Sequence, residues 1–395
     1  MSLVGVHADR DTRRPGGAAA VLRTTTAIRE RAQFLLQRAR AGDSPWFIVD
    51  DDALPTAAAE VADVTRARYP DLRIPYHSRW RHFEAGGIDR RADLDARATV
   101  DLTVVSVLLD AGAGPDWRYL EADSGQRFSR SEGLGVASWH AFVDGVFSGE
   151  PAQPLQVDAA GLRNLTVDRL AEAFQCGPAN PLVGLEGRVS VLHRLGDALD
   201  PHLRPADFFD LDAGNRIAAH DILSQVLTSL SAVWLAPNSI GDQALGDCWH
   251  HDAVPGPGLT QGWMPFHKLS QWLTYSLLEP FEWAGLQVED LDALTGLPEY
   301  RNGGLLLDTG VLRLRDPDWA ARSWDVSDEL VVEWRALTVA LLDELAPLVR
   351  SRLDAADLPL ACVLEGGTWS AGRALAQRLR DGRPPLSVVS DGTVF

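Results

Sequence analysis

Apolar residues recur at three- and four-residue steps along most of this chain, and that spacing narrows the available folds more than any other feature. The longest instance runs over 327–353, where Leu330, Trp334, Leu337, Leu341, Leu345 and Leu348 mark one apolar stripe behind a Ser327 cap, with Pro347 expected to kink its end. A first helix is predicted from Gly17, through Val21, Leu22, Ile28, Leu35 and Leu36, to Gly42, and a second over 53–69 up to Pro70. Further helical segments are predicted at 92–112, 134–147, 166–176, 181–196, 214–235, 264–284 and 290–296.

Strand signals are sparse. Residues 46–49 and 386–389 are short apolar runs between breakers and are candidates to pair with each other. Neither a helix–strand alternation nor a fixed-period repeat is present, which disfavours a doubly wound sheet and a solenoid. The expectation is a mostly α protein with a few short strands. A polar, Arg- and Gly-rich tail over 1–16 would precede a single large helical domain over 17–395, since no connector is long enough to be an interdomain linker.

Charge excludes some partners. With 37 Lys and Arg against 55 Asp and Glu, the chain carries −18, a field that repels nucleic-acid backbones and anionic membrane surfaces. No apolar run approaches the ~20 residues that span a bilayer, and the N-terminus lacks a signal-like apolar core. Cys176, Cys248 and Cys362 form neither a CxxC pair nor an even set, which fits a reducing cytoplasm. Only Lys268 among the 37 basic residues is a lysine, which singles it out.

Several segments break the apolar rhythm. Residues 73–84 gather two histidines, three arginines and three aromatics, including His77, Arg79 and His82, and suit a sugar or phosphate as well as they suit a surface segment anchored by its aromatics. Residues 124–135 place glycines ahead of a helix, either as an anion cradle or as a plain turn, without a Walker or GxGxxG pattern. Residues 246–252 hold Cys, two His and two Asp, but adjacent histidines on a short loop seldom reach one ion, so no metal or other cofactor is expected. No GxSxG elbow is present.

Two segments are more informative. Phe266, Lys268 and Gln271 open a helix with the last two on one face, and 294–304 and 364–373 carry Glu299 and Glu365 beside glycines and arginines. Two carboxylates in separate loops equip a protein to break a glycosidic bond, although carboxylates at helix starts are also common caps.

At these residues the chain resembles a family. PFHKLSQWLTYSL, LTGLPEYRNGGLLLDTGVL, NPLVGLEGR, SGQRFSRSEGLG, LEGGTWSAGR and the terminal SDGTVF are similar to uracil-catabolism proteins encoded beside a uracil phosphoribosyltransferase and a cyclohydrolase II-like enzyme. The resemblance covers about Arg73 to Phe395 and implies a role in opening the pyrimidine ring and releasing urea, with a possible functional association with the cyclohydrolase II-like enzyme. More distantly, the aromatic-x-Lys-x-x-Gln helix and the acidic-Tyr-Arg turn resemble queuosine 5′-phosphate N-glycohydrolases. That resemblance implies a catalytic role for Glu299, here one methylene longer than the family's Asp. It implies base binding by Glu365, Trp369 and Arg373, with Gly366 and Gly367 where that family has tyrosines.

The expected activity is therefore N-glycosidic cleavage of ribosylurea or its 5′-phosphate. Glu299 and Glu365 would be catalytic, Glu365 as the acid. His77, Arg79, His82, Phe266, Lys268, Gln271, Tyr300, Arg301, Trp369 and Arg373 would bind substrate, Lys268 acting from behind the contacting residues rather than as a Schiff-base nucleophile. The alternatives are cleavage of uridine or its monophosphate, and a non-catalytic partner or sensor that binds a pathway intermediate.

Overall fold

Thr24 divides the first predicted helix in two. Its side chain accepts the Ala27 N–H at 3.1 Å, ending α1 (Pro15–Leu22) and starting α2 (Thr25–Arg40), because a threonine in extended conformation satisfies an N–H that the new helix leaves open. The computed structural model describes residues 10–91, 94–200, 203–211, 216–234 and 237–389. The first nine residues of the predicted tail and the terminal SDGTVF lie outside the described residues. Helix α1 opens at Pro15, inside the predicted tail, and proline is favoured there because its missing N–H is one the first turn would leave unpaired anyway.

The helices that follow are α3 (Leu54–Arg68), a single turn α4 (Trp80–Phe83), α5 (Ala96–Leu108), α6 (Arg130–Val143), α7 (Ala159–Arg163), α8 (Val167–Ala173), α9 (Leu185–Ala198) and α10 (Ala219–Ser229), of which the short α4 and α7 are not among the predicted segments and the rest match them with shifted ends. After them come α11 (Lys268–Trp283), α12 (Tyr300–Asp308), α13 (Glu329–Leu353), α14 (Leu360–Val363) and α15 (Trp369–Arg380). Residues 364–368 form one wide π-helical turn between α14 and α15. The segment predicted as helix over 290–296 is only a short 3₁₀ turn at Leu291–Ala293. The long helix starts after Asp328 rather than at a Ser327 cap, and continues through Pro347 to Leu353.

Helix α13 packs on α2 and α3, while α11 packs on α5 and α10. From Ala98 to Leu108 every residue of α5 is buried, so this helix runs through the core instead of lying on it. One hydrophobic cluster extends from Ile28 to Leu386 and contains Trp80, Trp117 and Trp334. A smaller cluster joins Ala18, Ala19 and Leu22 to Ile240, Leu245 and Cys248, and the whole is the mostly α architecture expected.

The strands are two or three residues long. The runs expected to pair with each other take different partners: 47–49 lies antiparallel to 312–314, and 387–389 lies parallel to 323–325. Each apolar run meets whichever edge the helical packing brings alongside it. No helix among the described residues is long and apolar enough to cross a membrane.

Candidate functional site

Three helices, α6, α11 and α12, present their first turns to one cavity of about 720 Å³. Helix N-termini carry a partial positive charge and N–H groups that anions satisfy; here Glu299 takes two of them at α12 and Asp247 takes one at α11. Arg68 at the end of α3, the 77–82 segment, the loop after α5, Glu365, Trp369 and the turn after α15 close the walls.

Glu299 is the N-cap of α12. Its carboxylate accepts the backbone N–H groups of Arg301 at 2.7 Å and Asn302 at 2.6 Å, which fixes both oxygens at the cavity wall. Burial pushes its carboxyl above the usual range, opposed by those two hydrogen bonds and by Lys268. The cap reading and the site reading therefore describe one and the same side chain.

Lys268 stands across from it. Burial pulls its ammonium below the ordinary lysine range, while Glu299 and Asp110 favour the charge. Among the described residues its amine has no hydrogen-bond or ion-pair partner, so the expectation that it acts from behind other residues is replaced: Lys268 itself lines the cavity.

Two histidines occupy another wall. His77 Nδ1 lies 2.8 Å from Glu365 Oε2, and the other Glu365 oxygen accepts from Arg68 at 3.0 Å and from the Tyr69 hydroxyl at 3.1 Å. Burial works against the Glu365 charge, but His77 and Arg68 outweigh it and hold the carboxyl below its usual range. This favours the ionised form of Glu365, whereas the sequence reading expects it to supply the acid. It is an anchored carboxylate that fixes the His77 ring with Nδ1 protonated.

His82 is different. Its Nδ1 accepts from the Arg79 guanidinium at 3.0 Å, which leaves the proton on Nε2, and burial together with Arg79 pushes its pKa down to about 3. It is a neutral hydrogen-bond donor. The Trp272 indole lies against both rings, 4.6 Å from His77 and 6.0 Å from His82, and donates to Asp110 at 3.1 Å.

Four candidate residues lie behind the cavity or outside it. Arg79 is fully buried, paired with Asp110 at 2.9 Å, and acts on the cavity through Asp110 and His82. Phe266 is buried beneath the Arg335 guanidinium, 4.1 Å from its ring. Gln271 is fully buried, accepting the Thr295 N–H at 2.9 Å and donating to its hydroxyl at 2.7 Å, which ties α11 to the loop ahead of Glu299. Arg373 is exposed over Trp369 and pairs with Glu132 at 3.3 Å. By contrast His77, His82, Lys268, Glu299, Tyr300, Arg301, Glu365 and Trp369 share the cavity.

Gly366 and Gly367 do not widen the cavity. A Cβ on Gly367 would stand 2.5 Å from both Thr65 Oγ1 and the Val61 carbonyl oxygen, so the glycines let the wide turn press against α3. The glycines of 124–135 are likewise packing positions at Gly133 and Gly135, against Phe128 and His82, while Arg130, Ser131 and Glu132 of that segment reach the cavity. In 246–252, Asp247 holds Arg335 at 2.7 and 2.8 Å and the Lys268 backbone N–H at 2.9 Å, and His251 pairs with Glu333 at 3.0 Å. Those groups fasten α13 to the start of α11.

Sequence reading did not single out Arg68, Asp110, Trp272 or the 381–383 turn, and it reached Arg130 only as part of the 124–135 segment. Of the residues not singled out, Asp110 carried a signal, being an isolated carboxylate closing an apolar helix.

A family model described as protein of unknown function, DUF1688, matches residues 21–395. The protein urg3 of Schizosaccharomyces pombe is 40% identical over 394 residues, spanning 93% of this chain and 96% of that protein. Uracil catabolism protein 4 of Lachancea kluyveri is 38% identical over 375 residues, spanning 82% of this chain and 85% of that protein. With a match from residue 21 to the last residue and two relatives aligned over most of their length, the chain belongs to the DUF1688 family.

Proposed function

We propose that this protein is an N-glycohydrolase of uracil catabolism that cleaves the ribosyl C–N bond of a small ribosyl ureide, ribosylurea being the favoured nucleoside part. The pathway assignment is supported by the relative that bears the name uracil catabolism protein 4. The chemistry is supported by one observation: an anchored carboxylate, Glu299, and a carboxylate-fixed imidazole, His77, open into the same cavity.

In this reading, Glu299 faces the anomeric carbon and stabilises the positive charge that builds as the C1′–N bond breaks. The bonding pair leaves with the ureide nitrogen, which takes a proton from the His77 imidazolium, a cation that the ionised Glu365 stabilises. Water adds to C1′ and returns its proton to His77, so the net reaction is ribosyl ureide plus water giving ribose and urea. The His82 Nε2–H donates to the ureide oxygen, and Trp272 and Trp369 supply flat apolar walls.

Mass-spectrometric assay of the purified protein with ribosylurea, its 5′-phosphate, uridine and uridine monophosphate tests the reading. Urea release from a ribosyl ureide supports it. Selective cleavage of uridine compounds moves the leaving group to uracil. Tight binding without turnover of any of them makes the protein a binder and overturns the proposal.

A further inference from the structure

We propose that the cavity contains a subsite for a phosphate monoester, built by Arg301 and Arg130 at the first turn of α6, and hence that the substrate is the 5′-phosphate of the ribosyl compound. The second clause rests on the N-glycohydrolase reading; the first does not.

The pairing of charges around the cavity carries the inference. Arg68 is neutralised by Glu365, Arg79 by Asp110, and Arg81 by Glu279 at 2.8 Å. Arg301, like Lys268 on the facing wall, has no such carboxylate among the described residues. It is 3% exposed, its Nε is buried with no hydrogen-bond partner, and among the described residues no carboxylate lies within ion-pair distance of it. Its Nη1 donates to the Gly382 carbonyl at 3.3 Å and its guanidinium lies over the Tyr300 ring, 4.7 Å from the centroid, neither contact supplying an anion. In a chain where acidic residues outnumber basic ones by 55 to 37, a buried guanidinium without an anion is costly, and an anionic ligand removes that cost.

A second cation converges on the same turn. Arg130 Nη2 lies 4.0 Å from the position a Cβ on Gly382 would take, and Arg130 has no ion-pair partner among the described residues. It opens α6, a helix of 14 residues whose first turn lines the cavity and whose Ser129 N-cap makes no side-chain hydrogen bond. The N–H groups of that turn and two guanidinium groups therefore meet at one end of the cavity. A phosphate monoester, with a charge of about −1.5 to −2 at neutral pH and three acceptor oxygens, matches such a set of donors. Asp381 at the rim is exposed, so water screens its charge far more than that of the buried Arg301.

Calorimetric titration of the full-length protein with ribose 5-phosphate, ribose and inorganic phosphate tests the subsite without requiring turnover. Ribose 5-phosphate is expected to bind at least about tenfold more tightly than ribose, the scale of one charge-assisted hydrogen bond. Arg130→Gln, at an exposed position, is expected to fold normally and to lose most of that preference, and Arg301→Lys to lose part of it. Equal affinity for ribose and ribose 5-phosphate overturns the subsite, as does an Arg130→Gln protein that keeps the full preference. Inorganic phosphate binding as tightly as ribose 5-phosphate, without competition from ribose, also overturns the monoester assignment and indicates a free-phosphate site. Selective binding of ribose 5-phosphate by a protein that cleaves none of the ribosyl compounds leaves the subsite standing and removes the N-glycohydrolase reading.

Discussion

The His77 ring meets the Glu365 carboxylate at 2.8 Å across 288 residues of sequence, and this contact holds the imidazole in place at the cavity wall. Glu365 has every oxygen in use, and Arg68 keeps it charged from the side away from His77. Proton transfer in the proposed reaction therefore falls to the imidazole.

Replacing Glu299 by Gln is expected to lower turnover on the order of 10²-fold or more, because the charge that opposes an oxocarbenium-like centre disappears while the side-chain size stays. One amide oxygen can still accept the Asn302 N–H, so stability should fall by only about 1 kcal/mol, the usual scale for a weakened cap. Steady-state kinetics beside a urea melt separates the two effects; wild-type turnover would remove Glu299 from the chemistry.

Glu365→Gln is expected to destabilise the fold by about 1–3 kcal/mol at pH 7, where an ionised, fully bonded carboxylate is replaced by an amide that must also accommodate two unwanted N–H donors. The folded-state pKa of Glu365 is depressed, so its contribution is present above the ordinary carboxylate value of about 4.3 and is lost as pH falls through the depressed one. Urea melts from pH 7 down to pH 3 should accordingly show the wild-type advantage shrinking at the acid end. A gap that widens on acidification would contradict the assignment.

Lys268 is the only lysine in the chain, so amine-selective labelling reports on this one side chain and the N-terminus. Because burial lowers its pKa, the labelling rate at Lys268, followed by peptide mass spectrometry, should reach half its maximum below the ordinary lysine value of about 10.4. Ribose 5-phosphate should slow the reaction by occupying the cavity. A midpoint at or above the ordinary value would show that Lys268 is not held as described.

Gly367→Ala is expected to cost about 1–3 kcal/mol, since the added methyl meets Thr65 Oγ1 and the Val61 carbonyl oxygen at 2.5 Å and α3 has to shift. Gly112→Ala places its methyl where nothing lies within 4 Å, on the cavity wall, and should leave the melting temperature nearly unchanged. The reverse ranking would mean that the wide turn faces the cavity after all.

Local pattern alone determined that this chain builds helices, because the three- and four-residue apolar spacing of α2, α3 and α13 is written in consecutive residues and each such stripe has to be buried. It also marked Glu299, whose place before a glycine-containing helix start is visible in 294–304. The break at Thr24 was legible in principle as a capping threonine between two apolar runs, but Val21 and Ile28, seven residues apart, keep the helical phase across it.

Membership of the cavity was decided by tertiary structure. Lys268 and Gln271 stand three residues apart on α11, yet one faces the cavity and the other binds Thr295, because a helix surrounded by protein on all sides has no single inner face for sequence spacing to reveal. The same holds for ionisation. The Glu365 charge is favoured by His77 and Arg68, respectively 288 and 297 residues away, and among the described residues no carboxylate is folded against Arg301. Electrostatic energy depends on distance and burial in three dimensions, quantities that the neighbours of a residue in sequence do not set.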